Sequence, residues 1–455
     1  MGSQSRQTGA AGQAPARPGS GQGWYAVWVL ALVGMFAGVD RGVINLLVEP
    51  IKRDLHLNDT QFSLLSSLAF VAIYIVFGLP ISRLIDSRNR RAMIAWAVAL
   101  WSVATALCGV AQNFWSLFLC RVAVGGGELV NQPAAYSIIA DQFPREKLPR
   151  AIAAYNTGQI GQTSVSLILG AVVITALAGV ADLRVPVIGV IRNWQLVFFL
   201  VGLPGLLIAL LVTTIREPAR RNRGAGGQGA ASLTEVWRFV LAKRGAYGFL
   251  TLALALASVE AAAVGTWGPA FLMRTYGWSP ARVGMTSGLA AIAAAPIGLY
   301  LGARIAEHLY RRGRDDAAIW VVVIAFTILI PAHVLAALAP NGWTAIALES
   351  GLATMMGSMA GPAQLTCLQT ITPGEMRGQV TTIFLFMYTV VGAIIGPTAV
   401  ALATDYVFKD PHQLRWAIMA AAGVACPLAL AAALLAVKPY GRAAAEARTW
   451  ETTGG

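Results

Sequence analysis

Charge is what this sequence has least of. Only 12% of its 455 residues are Asp, Glu, Lys or Arg, against about a quarter in an ordinary soluble chain. A water-facing surface of normal composition cannot be built from so few. Histidine is scarce too: His56, His308, His333 and His412 are scattered and form no metal-ligand spacing. The four cysteines, Cys108, Cys120, Cys367 and Cys426, all fall in apolar segments. Their spacing fits neither a disulfide framework nor a metal site, so they read as small core residues. No GxxxxGK[ST] phosphate loop occurs, which excludes ATP hydrolysis as an energy source. Nothing pairs a nucleophile with a base, so the chain is not read as an enzyme. The ten-residue alternating segments of a membrane β-barrel are missing as well.

What is present is apolar length. Hydrophobic residues make up 56% of the chain, and a bilayer core about 30 Å thick needs about 20 apolar residues per helix. Twelve runs qualify, on residues 24–47, 61–82, 92–111, 114–139, 149–177, 195–215, 246–272, 282–306, 317–338, 343–370, 377–404 and 413–437. The fold class expected is an all-α integral membrane protein. Residues 1–22, rich in Gly, Ala, Ser, Gln and Pro, read as a disordered cytoplasmic tail without the features of a signal peptide. Residues 23–216 form an N-terminal six-helix domain, 217–245 a cytoplasmic linker, 246–438 a C-terminal six-helix domain and 439–455 a cytoplasmic tail.

The net charge of +13 follows from topology rather than from a nucleic-acid partner. With both termini cytoplasmic, 24 of the 34 Lys and Arg fall on the inner side and 8 on the outer, the positive-inside bias. The basic stretch "REPARRNRG" would lie beside anionic membrane lipids. A cell inner (plasma) membrane and a monomer are expected.

The halves repeat. "DSRNRR" at Asp86–Arg91 returns as "EHLYRR" at Glu307–Arg312, 221 residues on. "NFW" at 113–115 returns as "NGW" at 341–343, and Pro133, Pro144 as Pro362, Pro373, with the same spacing of eleven. Repeats of this kind around a central site are a transporter architecture.

Into this apolar background fall a few charges, each costing roughly 3 kcal/mol on insertion scales: Asp40 and Arg41 in the first run, Arg121 and Glu128 in the fourth, Glu260 in the seventh and Glu349 in the tenth. Arg121 and Glu128 share a helix face about 10 Å apart, with Glu128 leaning toward Arg121. Gly125 between them leaves room for a substrate, a water or a second side chain. Asp40 and Arg41 diverge by about 100°. Asp40 is expected to reach Arg121 or Glu128, and Arg41 to point to an adjacent helix or the exterior vestibule. Carboxylates beside arginine in a dry cavity suit proton carriage. Pinning helix 4 to helix 1 is the structural alternative. Glu260 and Glu349 stand at the repeat positions of Asp40 and Arg121.

"SRLIDSRNRR" resembles the signature between the second and third helices of the major facilitator superfamily, with Ser82 and Asn89 where glycines are usual and Ser87 where an arginine is. Asn89 tolerates the left-handed turn a glycine would make. Within that superfamily the chain is similar to the spinster branch, including its bacterial members. The resemblance rests on "DRGVINLLVEPIKRDLHLNDTQ", "GLPISRLIDSRNRR", "RVAVGGGELVNQPAAYSIIADQFP", "REP" after helix 6 and "WGPAFLMRTYGWS", with Leu129 where the branch has Ala. It implies a major facilitator fold of two six-helix pseudo-repeat domains working by alternating access. It also implies proton coupling, with no cofactor beyond the proton gradient, and an amphiphilic substrate such as a lysophospholipid or sphingoid lipid. A water-soluble organic anion or drug is the alternative substrate. Asp86, Arg90 and Arg91, with Glu307, Arg311 and Arg312 as their copy, would form a cytoplasmic gate latching the halves when the outer side is open.

Overall fold

The computed structural model describes residues 21–144, 147–186, 189–218 and 232–453. The long apolar runs become twelve helical units. Helix 1 is Gly21–Phe36 and Val39–Leu46, interrupted at Ala37–Gly38. Helix 2 is Asp59–Ser63 and Ala69–Ser87 joined by a widened turn, Leu64–Leu68. Helices 3, 4 and 5 are Arg90–Cys108, Phe114–Gln142 and Leu148–Leu177. Helix 6 is Asn193–Gly202 and Pro204–Thr213. Helices 7, 8 and 9 are Arg244–Tyr276, Pro280–Arg311 and Ala317–Ala337. Helix 10 is Gly342–Ile346 and Thr354–Thr370 around a widened turn, Ala347–Ala353. Helix 11 is Arg377–Leu402, ending in another such turn, and helix 12 is Leu414–Thr453. A two-stranded antiparallel hairpin, Leu183–Val185 with Gly189–Ile191, links helices 5 and 6. Ten of the twelve are long and apolar enough to cross a membrane. The other two, helices 4 and 10, have the length but are less apolar.

The repeat seen in the sequence is a repeat of local chemistry. Asn113 caps helix 4 by accepting from Ser116 N at 2.9 Å, and Asn341 caps helix 10 by accepting from Thr344 N at 3.0 Å. Each fills one of the orphan donors of a helix start. Pro133 and Pro362 lie inside those same helices. Asn89 behaves otherwise than expected. Its backbone is extended, at φ −68°, and its side chain caps helix 3 by accepting from Ala92 N at 2.8 Å. A capping role, not a left-handed turn, explains an Asn there.

Helix 12 passes the expected end near residue 437 and continues to Thr453. Tyr440, Ala443, Ala444 and Ala447 are buried at helical spacing, and Tyr440 and both alanines 443 and 444 join the cluster around Val236 and Tyr247. Lys243 pairs with Glu446 at 2.7 Å. Within the expected linker, Ser232 and Glu235 form a capping box that starts a short helix, Leu233–Ala242.

Large apolar side chains face outward: Trp96 is 79% exposed, Val407 74% and Leu207 69%. Such a surface is at home in lipid rather than water. Between helices, small residues permit close approach. A Cβ on Gly125 would stand 2.2 Å from the Phe70 carbonyl oxygen, and one on Gly158 2.1 Å from the Ala31 carbonyl oxygen. Gly125 is therefore filled by helix 2 and leaves no space for a substrate, contrary to expectation. The halves meet along helices 5 and 8, where a Cβ on Gly284 would stand 2.6 Å from the Leu167 carbonyl oxygen. A shared core beside this seam packs Val43, Ile44 and Leu46 with Ala263, Trp267, Phe271 and Val283.

Gly125→Ala and Gly158→Ala should each lower the thermal stability of the detergent-solubilised protein, because overpacking costs about 1–3 kcal/mol. Gly161→Ala, whose Cβ meets nothing within 4 Å, is the control. Equal melting curves for all three would show that these glycines do not set helix separation.

Candidate functional site

The break in helix 1 shapes the first charge cluster. The ladder stops at Phe36 and restarts at Val39, placing Asp40 in the first turn of a new helical segment, where the helix dipole favours an acid. From that turn Asp40 and Arg41 diverge, and both reach helix 4. Asp40 pairs with Arg121. Arg41 Nη2 donates to Glu128 Oε2 at 2.6 Å. Two bonds thus cross between helices 1 and 4, and Arg121 and Glu128 each take a partner from helix 1 instead of leaning on one another. Arg41 does not turn to the vestibule. The side chain of Phe70 explains part of this, since the Arg41 guanidinium lies 4.5 Å from its ring centroid and that of Arg121 6.0 Å, within cation–π range.

The quartet is unevenly buried. The Arg121 side chain is wholly inaccessible and Glu128 retains 4%, but Arg41 is 42% exposed. Arg41 is the most exposed member of the quartet. Arg121 Nε and Nη2 and Glu128 Oε1 have no protein hydrogen-bond partner. Buried groups of this kind are unusual, and here they give the cluster spare donor and acceptor capacity.

In the second half, Glu260 and Glu349 come together on a residue that the sequence pattern did not single out. His333 Nδ1 lies 3.0 Å from Glu349 Oε2, and Nε2 lies 2.9 Å from Glu260 Oε1. Glu349 sits in the widened turn of helix 10, a device found often at functional sites. Donor atoms of Glu260, His333 and Cys426 all lie within 4.8 Å of one another. Yet 2.9 Å is closer than the roughly 3.3 Å separating two ligands bonded at about 2.0 Å in a tetrahedral site. The contact is that of an acid on an imidazole. A signal for His333 did exist: it is the lone ionisable residue of an otherwise apolar helix 9, two residues after Pro331.

The expected gate residues stay within their own halves. Arg90, 1% exposed, donates from Nε to Glu217 Oε1 at 2.9 Å and from Nη1 to Ser137 Oγ at 2.8 Å, and also pairs with Asp141. Arg91 N donates to Glu217 Oε2 at 2.8 Å. These bonds staple helices 3 and 4 to the end of helix 6. Glu307 pairs with Arg311 one turn away, and Arg312 is exposed at the helix end. The side chain of Asp86 lies outside the described residues.

The halves are joined at the opposite end, through residues the sequence reading passed over. Arg274, in the last turn of helix 7, donates Nη1 and Nη2 to the two oxygens of Asp59, each at 2.8 Å, and Nε to Glu49 at 2.7 Å. Lys52 also pairs with Asp59. Asp405, in the widened turn of helix 11, accepts from Thr60 N at 2.7 Å and Thr60 Oγ1 at 2.6 Å. Asp59 is completely buried. Each of these charges sits at a helix end, where an anchoring role looks sufficient, and only the fold brings residues more than 200 apart into contact.

A bundle of twelve helices in two repeated halves, with ionisable groups paired inside each half, defines a multi-pass membrane transporter rather than an enzyme. The family match is direct: residues 30–397 match the Major Facilitator Superfamily, and the chain belongs to that family. It is 30% identical over 404 residues to an MFS-type efflux pump of Mycolicibacterium smegmatis, covering 87% of each chain. It is 23% identical over 321 residues to Protein spinster of Drosophila melanogaster, covering 69% of this chain and 50% of that one. In fold it resembles the crystal structure of a bacterial homolog of the human lysosomal transporter spinster, in an inward-facing and unoccupied conformation, with a TM-score of 0.75, 24% identity and coverage of 93% and 97%. Its fold is thus like that of the spinster homolog.

Arg274→Ala should open the end of the bundle that holds the helix 1–2 loop. Removing one partner of a buried pair typically costs about 3–5 kcal/mol, enough to invert a conformational equilibrium. Spin labels on the helix 1–2 and helix 11–12 loops should report longer distances, with Arg274→Lys intermediate because it loses the two-pronged geometry. An unchanged distance distribution in Arg274→Ala would remove the clamp from the mechanism.

Proposed function

We propose that this chain is a proton-coupled secondary transporter carrying an amphiphilic, lipid-like substrate of the lysophospholipid or sphingoid type by alternating access. The observation that carries the reading is the crossed quartet. An ion pair between Arg41 and Glu128 holds the exposed guanidinium. A proton arriving on Glu128 removes its charge, weakens that pair and frees Arg41 for an anionic headgroup. Loss of the proton restores the pair and expels the headgroup. Asp40 keeps Arg121 in place throughout, so that the neighbouring charge on helix 4 is never left bare. Arg41 suits a phosphate or carboxylate.

The two ends supply the alternation. With the Arg274 clamp made, the helix 1–2 end is shut. The opposite end carries Asp86, Arg90, Arg91, Glu307, Arg311 and Arg312 on separate halves, and a latch there would require Arg90 and Glu307 to exchange their present partners when the clamp opens. The excess of Lys and Arg on the helix 2–3 side supports placing that side, and both termini, in the cytoplasm of an inner membrane. One protomer holds the complete path, which favours a monomer. The efflux-pump relative favours a second reading, transport of a water-soluble organic anion or drug against the same proton gradient.

Flux in reconstituted vesicles separates them. With an imposed pH gradient the wild type should accumulate a lysophospholipid or sphingoid substrate and leave small carboxylates and drug-like organic ions behind. Glu128→Gln and Asp40→Asn should lose gradient-driven accumulation by at least tenfold, while Glu128→Gln keeps substrate exchange at zero gradient. Full accumulation by Glu128→Gln, or by vesicles without a gradient, defeats proton coupling. Preference for organic anions or drugs selects the second reading.

A further inference from the structure

The two halves balance their buried charge differently. In the first half Asp40 and Glu128 face Arg41 and Arg121, so the quartet is neutral when fully ionised, and arginine does not give up its proton. The second half has carboxylates at both corresponding positions. Glu260 follows Asp40 by 220 residues and Glu349 follows Arg121 by 228. With no arginine at either place, two acids and one imidazole remain. Deprotonated throughout, that triad carries two negative charges inside the membrane domain. Only two protons bring it to neutrality.

His333 comes from a helix whose counterpart does something else. Helix 9 repeats helix 3, and an offset of 228 sets His333 opposite Thr105. Around Thr105 the first half has a cavity of about 20 Å³, lined by Asp40, Ser102, Thr105, Gly202 and Gly205 among others. By that offset the imidazole of the second half corresponds to a residue lining this water-sized space. Cys426 of helix 12 lies beside Glu260 and His333. An imidazole lies between two acids, neither of which forms an ion pair with an arginine among the described residues.

We propose that Glu260, His333 and Glu349 form a second proton-binding site, in the C-terminal domain, that exchanges protons during the transport cycle. The inference rests on the proposed proton-coupled transport, and it assigns part of the coupled protons to residues other than the quartet. Exchange needs access, and the Glu260 and Glu349 side chains each retain 10% exposure while His333 is held between them. The other titratable groups facing the site are Cys426 of helix 12 and Tyr388 of helix 11, which lies near Glu260. Helix 8, also packed on helix 9, brings no titratable side chain to it among the described residues.

The site is read without substrate or gradient by nitrogen NMR of histidine-labelled, full-length protein in lipid nanodiscs, with His333→Gln assigning the resonance. His333 should be an imidazolium at neutral pH, and its charged fraction there should fall severalfold in Glu260→Gln and in Glu349→Gln. A neutral ring at neutral pH, or one indifferent to both substitutions, overturns the proposal. Zinc bound at one ion per chain and lost in Cys426→Ser overturns it in favour of a metal centre. In vesicles, His333→Gln should move fewer protons per substrate than the wild type while still accumulating substrate. An unchanged ratio removes the site from the cycle. Wild-type vesicles that move no protons at all would defeat the coupled-transport reading, and with it the exchange; the NMR result would still decide whether the triad binds protons.

Discussion

Every feature of this molecule answers to the cost of keeping an unpaired charge out of water. A lone ion at mid-membrane is expensive, and removing one partner of a buried pair leaves that cost exposed. The first half meets the constraint by pairing across helices. Asp40 and Arg41 lie in one helical segment, Val39–Leu46, and diverge by about 100°, yet each finds a partner of opposite sign on helix 4. The glycines that let helices 2 and 4 touch keep the packing around these crossed pairs tight.

The same constraint turns the protein into a switch. An ion pair that closes one end is made of groups that must find water or another partner when that end opens. Arg274, Asp59 and Glu49 are satisfied with the helix 1–2 end shut, and Arg90 is satisfied entirely within the first half. The closed end is thus the one whose charges need a partner from the other half. Packing reinforces it, because the Gly284 contact between helices 5 and 8 leaves nothing compressible.

Most of the architecture was legible in the sequence because it depends on local patterns. Apolar runs placed all twelve helices, and the recurring "NFW" and "NGW" marked matching helix starts, where Asn113 and Asn341 turn out to be caps. Charges in apolar runs pointed to Asp40, Arg41, Arg121, Glu128, Glu260 and Glu349, which the fold does gather into two clusters. What escaped was partnership. The charge pattern sent Asp40 to Arg121 or Glu128 but could not show that Arg41 would take Glu128, leaving Arg121 to Asp40. Gly125 looked like space and is a contact, since a missing side chain has the same letter in both cases. Arg274 and Asp59 were not singled out at all, because their pairing spans 215 residues. His333 was discounted as one scattered histidine among four. A search for metal spacing within the sequence is blind to a site assembled from helices 7, 9 and 10.

Duplication followed by divergence accounts for the difference between the halves. Two copies of one six-helix unit keep their caps, prolines and helix lengths, because those maintain the fold. The buried charges are free to change if each cluster remains balanced. Arginine at the helix 4 position fixes a charge that never titrates. Carboxylate at the equivalent helix 10 position removes that fixed charge. Neutrality is then reached only through groups whose charge follows pH, and an imidazole from helix 9 is the side chain best matched to that range. One half is therefore built around permanent cations and the other around groups whose charge can change.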